Sequence, residues 1–389
     1  MFLGRDGRIV TAMTDTIDQQ ATDTTAPAQH TFDDPFAFAG AFLSWMNGST
    51  IVLGLDAGHR AGTFEALAAA GPSTVEELAA SGGFSSRHLR EWLDLMTVGR
   101  VVIHDAATQR YRLAAGAAAC LTGTSSLNMA PVAAAIAFSA KHVDAVATTL
   151  RHGGGIPYDA YRPEFTDLMD QMNRRHYDEL LITGYIDVVP GLAERLRSGA
   201  RVLDVGCGTG HVLNLLAREY PASTFTGYDL AEDAVVAARR EAAHLALTNV
   251  RYDTVDVADI GEPAGYDVVL AFDAIHDQAQ PRQVLAQIRQ ALDDDGLFLM
   301  VDVKASSHVH ENLDQPNAPW IYGASLFHCM QVSSADGGEG LGTAWGLQKA
   351  HELLAEAGFT VEDLVDTPPT EMMNVIYVCR PSVRETRSA

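Results

Sequence analysis

From Arg201 the sequence reads RVLDVGCGTG, an apolar run that ends on an acid and breaks at once into three alternating glycines. An apolar run of this length reads as a buried strand, and a loop so bare lets a ligand approach the backbone closely. A helical pattern follows, so the segment predicts strand, tight turn, helix. The runs TFTGYDL, VRYDTVDV, YDVVLAFDAI and LFLMVDVK come next, separated by helical stretches. After a long interruption the pattern closes with a helix (KAHELLAEAGF) and two strands (TVEDLVD and NVIYVCR). This alternation yields an α/β fold, a parallel sheet with helices on both faces.

The loop also restricts its ligand. A dinucleotide fingerprint needs G-x-G-x-x-G, and here the third glycine, Gly210, comes one place early. A phosphate loop would add Gly-Lys-Ser/Thr, which is missing. Asp204 beside the loop repels a pyrophosphate and attracts an ammonium or sulfonium. The next strand ends in Asp229, placed to accept ribose hydroxyls, and the third ends in Asp256-Val257, placed to meet an adenine edge.

In combination, VLDVGCGTG, the acid in GYDL, TVDVAD, AFDAIHD and the terminal strand pair resemble the class I S-adenosylmethionine-dependent methyltransferases. The resemblance implies a Rossmann-like seven-stranded domain over 199–381 with an insertion at 305–346. It implies S-adenosyl-L-methionine as cofactor, with Asp204, Gly206, Gly208 and Gly210 under the methionyl part and Asp229 with Leu230 at the ribose. Asp256 and Val257 would lie at the adenine, with Phe272 and Asp273 completing the cofactor site.

The segment AIHDQAQPRQVL resembles the strand-to-helix segment of winged-helix small-molecule O-methyltransferases, where a His-Asp pair supplies the general base. The resemblance gives that role to His276 and Asp277. An imidazole of ordinary pKa near 6.5 can take a hydroxyl proton at neutral pH; the alternative is a structural pair that orders the loop. Those enzymes usually follow the pair with an aromatic residue, and Gln278 stands here instead. GLDAGHRAG, LTGTSSLNMAP and SLFHCM also resemble an actinobacterial subgroup of winged-helix methyltransferases.

Upstream, residues 1–32 read as a disordered leader, with Met13 as an alternative start. Residues 33–124 predict helices and a hairpin in the order of a winged helix, with Ser73-Thr-Val-Glu76 as a capping box. Residues 125–198 predict a helical linker and substrate cap, and 382–389 a flexible tail. The winged helix raises DNA binding as a function. Against it stand a net charge of −23 and a recognition helix that mixes Arg87 and Arg90 with Glu91 and Asp94. The apolar FAFAGAFLSWM predicts a homodimer instead.

No uninterrupted apolar run suggests a membrane span. The four cysteines lack paired spacing, so neither disulfides nor a metal site is expected, and a cytoplasmic setting follows. The insertion supplies Trp320, Tyr322, Phe327 and His328 as candidates to bind a small hydrophobic or aromatic acceptor, with DGGEGLG as a mobile stretch. The competing functions are a cofactor-sensing winged-helix regulator without turnover, a nucleotide-dependent oxidoreductase and a silent partner subunit.

Overall fold

The computed structural model describes residues 32–261, 265–371 and 373–382. The leader, apart from Phe32, and the tail beyond Ser382 lie outside them. The chain divides after Gly48 into two compact units, and helix α1 (Pro35–Ala61) runs through the division. In the first unit Phe36, Phe42, Leu43, Trp45 and Met46 are exposed. By length and composition α1 is able to cross a membrane. Gly, Ser, Thr and Asn interrupt its apolar text, so it does not read as an unbroken apolar run.

The second unit begins with the winged helix: α2 (Thr63–Ala70), α3 (Val75–Gly82), α4 (Ser86–Val98), then the hairpin β1 (Val102–Asp105) and β2 (Arg110–Leu113). Leu89, Leu93 and Met96 of α4 are buried among Phe64, Leu67 and Leu78, as their helical spacing requires. The capping box lies one residue later than expected. Thr74 accepts from the Glu77 N–H at 3.2 Å and donates its own N–H to the Glu77 carboxylate at 3.0 Å. Ser73 is held elsewhere, exchanging backbone bonds with Tyr111 of the wing. The cations of the recognition helix are not free: Arg87 pairs with Glu91, Arg90 with Glu76, and Arg110 of the wing with Glu77.

Helices α5 (Ala115–Leu121), α6 (Ala134–Ala140), α7 (Val143–His152) and α8 (Glu164–Leu181) follow. After α8 come a short π-helical turn (Ile182–Ile186) and α9 (Leu192–Ser198).

The sheet then forms from β3 (Arg201–Val205), α10 (His211–Glu219), β4 (Thr224–Asp229), α11 (Glu232–His244), β5 (Val250–Thr254), β6 (Tyr266–Phe272), α12 (Pro281–Ala291) and β7 (Leu292–Val303). The insertion contributes α13 (Ala318–Ala324) and α14 (Met330–Ser334), and α15 (Gly346–Glu356), β8 (Phe359–Asp366) and β9 (Asn374–Pro381) close the fold. The seven strands lie in the order β5-β4-β3-β6-β7-β9-β8. All are parallel except β9, which runs antiparallel to both neighbours.

Apolar side chains fill both faces, which is why β3, β6 and β7 read as continuous apolar runs and not as alternating ones. Pro281 starts α12, where its fixed φ and missing N–H suit the first turn. The helix ends at Ala291, because Leu292 already pairs with Tyr266 before the register shifts. The strand order reverses between β3 and β6, so the carboxyl ends of these strands open the crevice where α/β sheets bind ligands. The four cysteines are free.

Candidate active site

The glycine loop joins β3 to α10 at that crevice. Gly206, Gly208 and Gly210 have φ of 74°, 53° and 72°, a region that disfavours side chains. A Cβ on Gly206 would meet Ala274 at 2.6 Å, and one on Gly210 would meet Ala238 and Tyr252 at 2.6 Å. These two glycines therefore serve packing. A Cβ on Gly208 meets nothing within 4 Å, so Gly208 alone keeps an open approach.

Asp229, at the end of β4, holds the loop in place. Its carboxylate accepts the Gly208 N–H at 2.7 Å and the Ala231 N–H at 2.8 Å, and burial raises its pKa. Asp204 at the end of β3 is buried, with Oδ1 unpartnered among the described residues. Burial and the neighbouring Asp229 hold its pKa well above the usual range. An orphaned buried carboxyl next to an open glycine is a place for a cation.

The other expected cofactor contacts are less uniform. Asp256 caps the short turn after β5, accepting the Ala258 N–H at 2.9 Å, and Val257 is buried behind it. Leu230 is exposed. Phe272 ends β6 against the rings of Tyr177 and Tyr185. Asp273, at a φ of 49°, takes both Asn374 Nδ2 bonds at 2.9 Å. Burial and Asp302 push it up to about 8.

His276 lies in the loop after β6 and is buried. Its orienting partner is a residue that the motif did not single out, Asp302 on β7. Nδ1 of His276 lies 2.8 Å from Asp302 Oδ1, which also accepts Trp345 Nε1–H at 2.9 Å and the Val303 N–H at 2.7 Å. The signal was present in LFLMVDVK, where an acid interrupts a strand buried on both faces. Asp277 lies on the other side of the ring, Oδ1 3.4 Å from His276 Nε2. Burial disfavours the charged imidazole, but the two carboxylates outweigh it and raise its pKa well above the ordinary value.

Residues from the cap and the insertion close over this pair. His328 is buried, with Nδ1 3.7 Å from Asp277 Oδ2. Its ring stacks on Phe165 at a centroid separation of 3.4 Å and meets Tyr161 edge-on at 4.7 Å. Tyr158 lies within electrostatic reach of both Asp229 and Asp277. Phe327 and Trp320 pack on the same aromatic cluster, and the Phe327 carbonyl accepts the Tyr161 hydroxyl at 2.9 Å.

Tyr322 is turned into the insertion, where it accepts from Asn312 Nδ2 at 2.9 Å. Gln278 folds back, donating to the Ala274 carbonyl at 2.9 Å. The aromatic rings around His328 thus come from Tyr158, Tyr161 and Phe165, which no motif marked. The stretch read as mobile is tied down: Gly342 N–H donates to the His276 carbonyl at 3.2 Å and Glu339 N–H to that of Ala279 at 2.9 Å.

Helix α8 is fastened to the glycine loop by a polar clamp. Asp170 accepts the Thr209 hydroxyl at 2.7 Å and ion-pairs with Arg174. Arg174 also reaches Glu241 of α11 and, at 2.7 Å, His211 at the start of α10. Burial opposes ionisation of Glu241, but its bonds from His211, Arg174 and Asn214 bring it down to about 2.

Two triads bring donor atoms within 4.8 Å of one another: His276-Asp277-Cys329 and Asp273-His276-Asp302. In the second, Asp302 Oδ1 and His276 Nδ1 are already bonded to each other.

Residues 196–358 match a family model described as a methyltransferase domain, and residues 49–123 match a Rv2258c-like winged HTH domain. The ubiquinone biosynthesis O-methyltransferase of Neisseria meningitidis serogroup C (strain 053442) is 31% identical over 129 residues, 32% of this chain and 53% of that protein. The nocamycin O-methyltransferase of Saccharothrix syringae is 47% identical over 77 residues, 19% of this chain and 28% of that protein. The chain thus spans about half the length, or less, of these two curated relatives. Among solved structures, the mitomycin 7-O-methyltransferase superposes with a TM-score of 0.64 at 18% identity, covering 89% of this chain and 98% of that one. Human N-acetylserotonin methyltransferase in complex with SAM has a TM-score of 0.66 at 16% identity, covering 90% and 99%. These likenesses establish the fold.

Proposed function

We infer that this chain, in which a winged helix-turn-helix domain at 49–123 precedes a class I methyltransferase domain at 196–358, methylates an oxygen of a small hydrophobic or aromatic metabolite. The cofactor is S-adenosylmethionine. When bound, it supplies a methyl group on a positively charged sulfur, a leaving system that needs no further activation. The observation that carries the reading is the orphaned Asp204 carboxyl beside the open Gly208, at the same sheet edge as a buried His-Asp loop. The glycine loop and Asp204 receive the methionyl part and its positive charge. Asp229 has lone pairs left for the ribose hydroxyls, with Leu230, Asp256 and Val257 beyond it toward the base. Phe272 and Asp273 line the approach from β6.

His276 is the general base. Asp302 holds Nδ1, so Nε2, which faces Asp277 Oδ1 at 3.4 Å, is the nitrogen that would take the acceptor's hydroxyl proton while the oxygen takes the methyl group. The imidazolium so formed is stabilised by Asp302 and Asp277. The aromatic cap excludes water and orients the acceptor for in-line attack. A regulator that binds DNA without turnover is disfavoured, because Arg87, Arg90 and Arg110 are each neutralised by a glutamate. The apolar side chains of α1 are proposed to cover a second copy of the chain, making the protein a homodimer.

Calorimetry tests the central claim. S-adenosylmethionine and its demethylated product should bind and NAD should not. Asp229→Ala should weaken binding at least tenfold, the loss expected for a charge-assisted hydrogen bond of about 1.5–3 kcal/mol. Tight NAD binding, or indifference to Asp229, refutes the assignment.

A further inference from the structure

We propose that His276, Asp277 and Cys329 form a binding site for a thiophilic divalent cation, zinc in the first instance, and that the ion switches methyl transfer off by occupying Nε2 of His276. The site rests on geometry; only the inhibition rests on the reading of His276 as general base.

The three side chains come from two places in the chain. His276 and Asp277 lie in the loop after β6, and Cys329 ends the π-helical turn Ser325–Cys329 that leads into α14. Positions 276, 277 and 329 have no metal-ligand spacing, so only the fold unites them. Their donor atoms lie within 4.8 Å of one another. Zinc bonds of about 2.0–2.3 Å set tetrahedral ligand atoms about 3.3–3.6 Å apart. His276 Nε2 and Asp277 Oδ1, at 3.4 Å, already meet that separation, and the thiol has to draw in by little more than about an ångström.

The surroundings suit an ion. Asp277 Oδ1 is buried and makes no hydrogen bond among the described residues, a costly state for an acceptor that nothing else satisfies. Asp302 holds His276 Nδ1 at 2.8 Å and is itself fixed by the N–H groups of Trp345 and Val303. By this carboxylate–histidine arrangement metal sites orient a ring and present its Nε2. The Asp277 side chain keeps 22% of its surface exposed, which gives an ion a way in. Cys329 binds as the thiolate, its proton released to solvent, and with the Asp277 carboxylate it cancels the charge of a divalent ion beside a neutral imidazole. Sulfur and imidazole donors select zinc over magnesium or calcium.

The test uses the full chain, freed of metal by a chelator and kept reduced. Calorimetry should show zinc chloride binding at one ion per chain. Cobalt(II) in its place should give a thiolate-to-metal charge-transfer band. Cys329→Ser should lose that band and weaken zinc by more than the roughly 10–100-fold that loss of an outer partner costs, with melting temperature and S-adenosylhomocysteine affinity unchanged. Asp277→Asn, nearly the same in shape, should also weaken zinc but keep the band at saturating cobalt, because the thiolate remains. Methyl transfer to a hydroxylated acceptor should be inhibited by zinc in the wild type, whereas Cys329→Ser should keep its metal-free turnover and resist the ion.

A wild type without the charge-transfer band, or zinc affinity that survives in Cys329→Ser, overturns the site and marks the ion as adventitious. Zinc that binds there and leaves turnover unchanged, or raises it, overturns the switch. S-adenosylmethionine binding is measured separately, so the methyltransferase reading stands or falls apart from these outcomes.

Discussion

At the scale of single residues, the proposed chemistry depends on how one imidazole is charged. Asp302 and Asp277 raise His276 well above the ordinary imidazole value, which favours the protonated ring that cannot act as base. Turnover of a hydroxylated acceptor should therefore rise with pH, with a midpoint above about 6.5. Asp277→Asn withdraws a carboxylate that favours the charged ring, so its midpoint should move down. His276→Ala should lower turnover by roughly 10²–10⁴-fold and leave S-adenosylmethionine affinity nearly unchanged. Asp302→Ala should behave differently, because it strands His276 Nδ1 and Trp345 Nε1 inside the core. Removing one partner of a buried pair costs about 3–5 kcal/mol, so melting temperature should fall together with turnover. A pH profile that kept its midpoint in Asp277→Asn, with full turnover in His276→Ala, would assign the pair to structure alone.

At the scale of elements, the glycine loop is held from two sides, by Asp229 of β4 and by the Asp170–Arg174 clamp of α8. Arg174→Met keeps much of the side chain's length but breaks the ion pairs to Asp170 and Glu241. Stopped-flow measurements should show faster release of S-adenosylmethionine, by roughly tenfold if about 1.5 kcal/mol of charge-assisted bonding is lost. Glu241 adds an acid limit. Its folded pKa, about 2, lies below its unfolded value near 4.3, so its contribution is present above pH 4.3 and is lost as pH falls toward 2. Unfolding curves of Glu241→Gln should be flatter than wild type in that window; identical curves would remove the clamp from the stability of the fold.

At the scale of the whole molecule, α1 displays a row of large apolar side chains, with Phe36, Leu43, Trp45 and Met46 more than half exposed. Exposure of this extent marks an interaction surface. Sedimentation at micromolar concentration should give a dimer, and Leu43→Glu with Trp45→Glu should give monomers with an intact methyltransferase domain; a wild-type monomer, or association with vesicles in its place, would overturn the pairing.

What the residues settled by themselves was local and periodic. The apolar runs, the glycine loop, Asp229, the Pro281 start of α12 and the His-Asp loop follow from strand period, turn chemistry and capping, which act over a few positions. The capping box was misplaced by one residue because Ser73 and Thr74 offer the same hydroxyl, and only the bridge from Ser73 to Tyr111 separates them. Asp302, Tyr161 and the Arg174 clamp act across 26 to 166 residues of chain, where no spacing rule reaches. Tertiary packing decided which carboxylate orients His276 and which aromatic rings surround His328, because a buried polar group takes whatever partner the fold brings within about 3 Å.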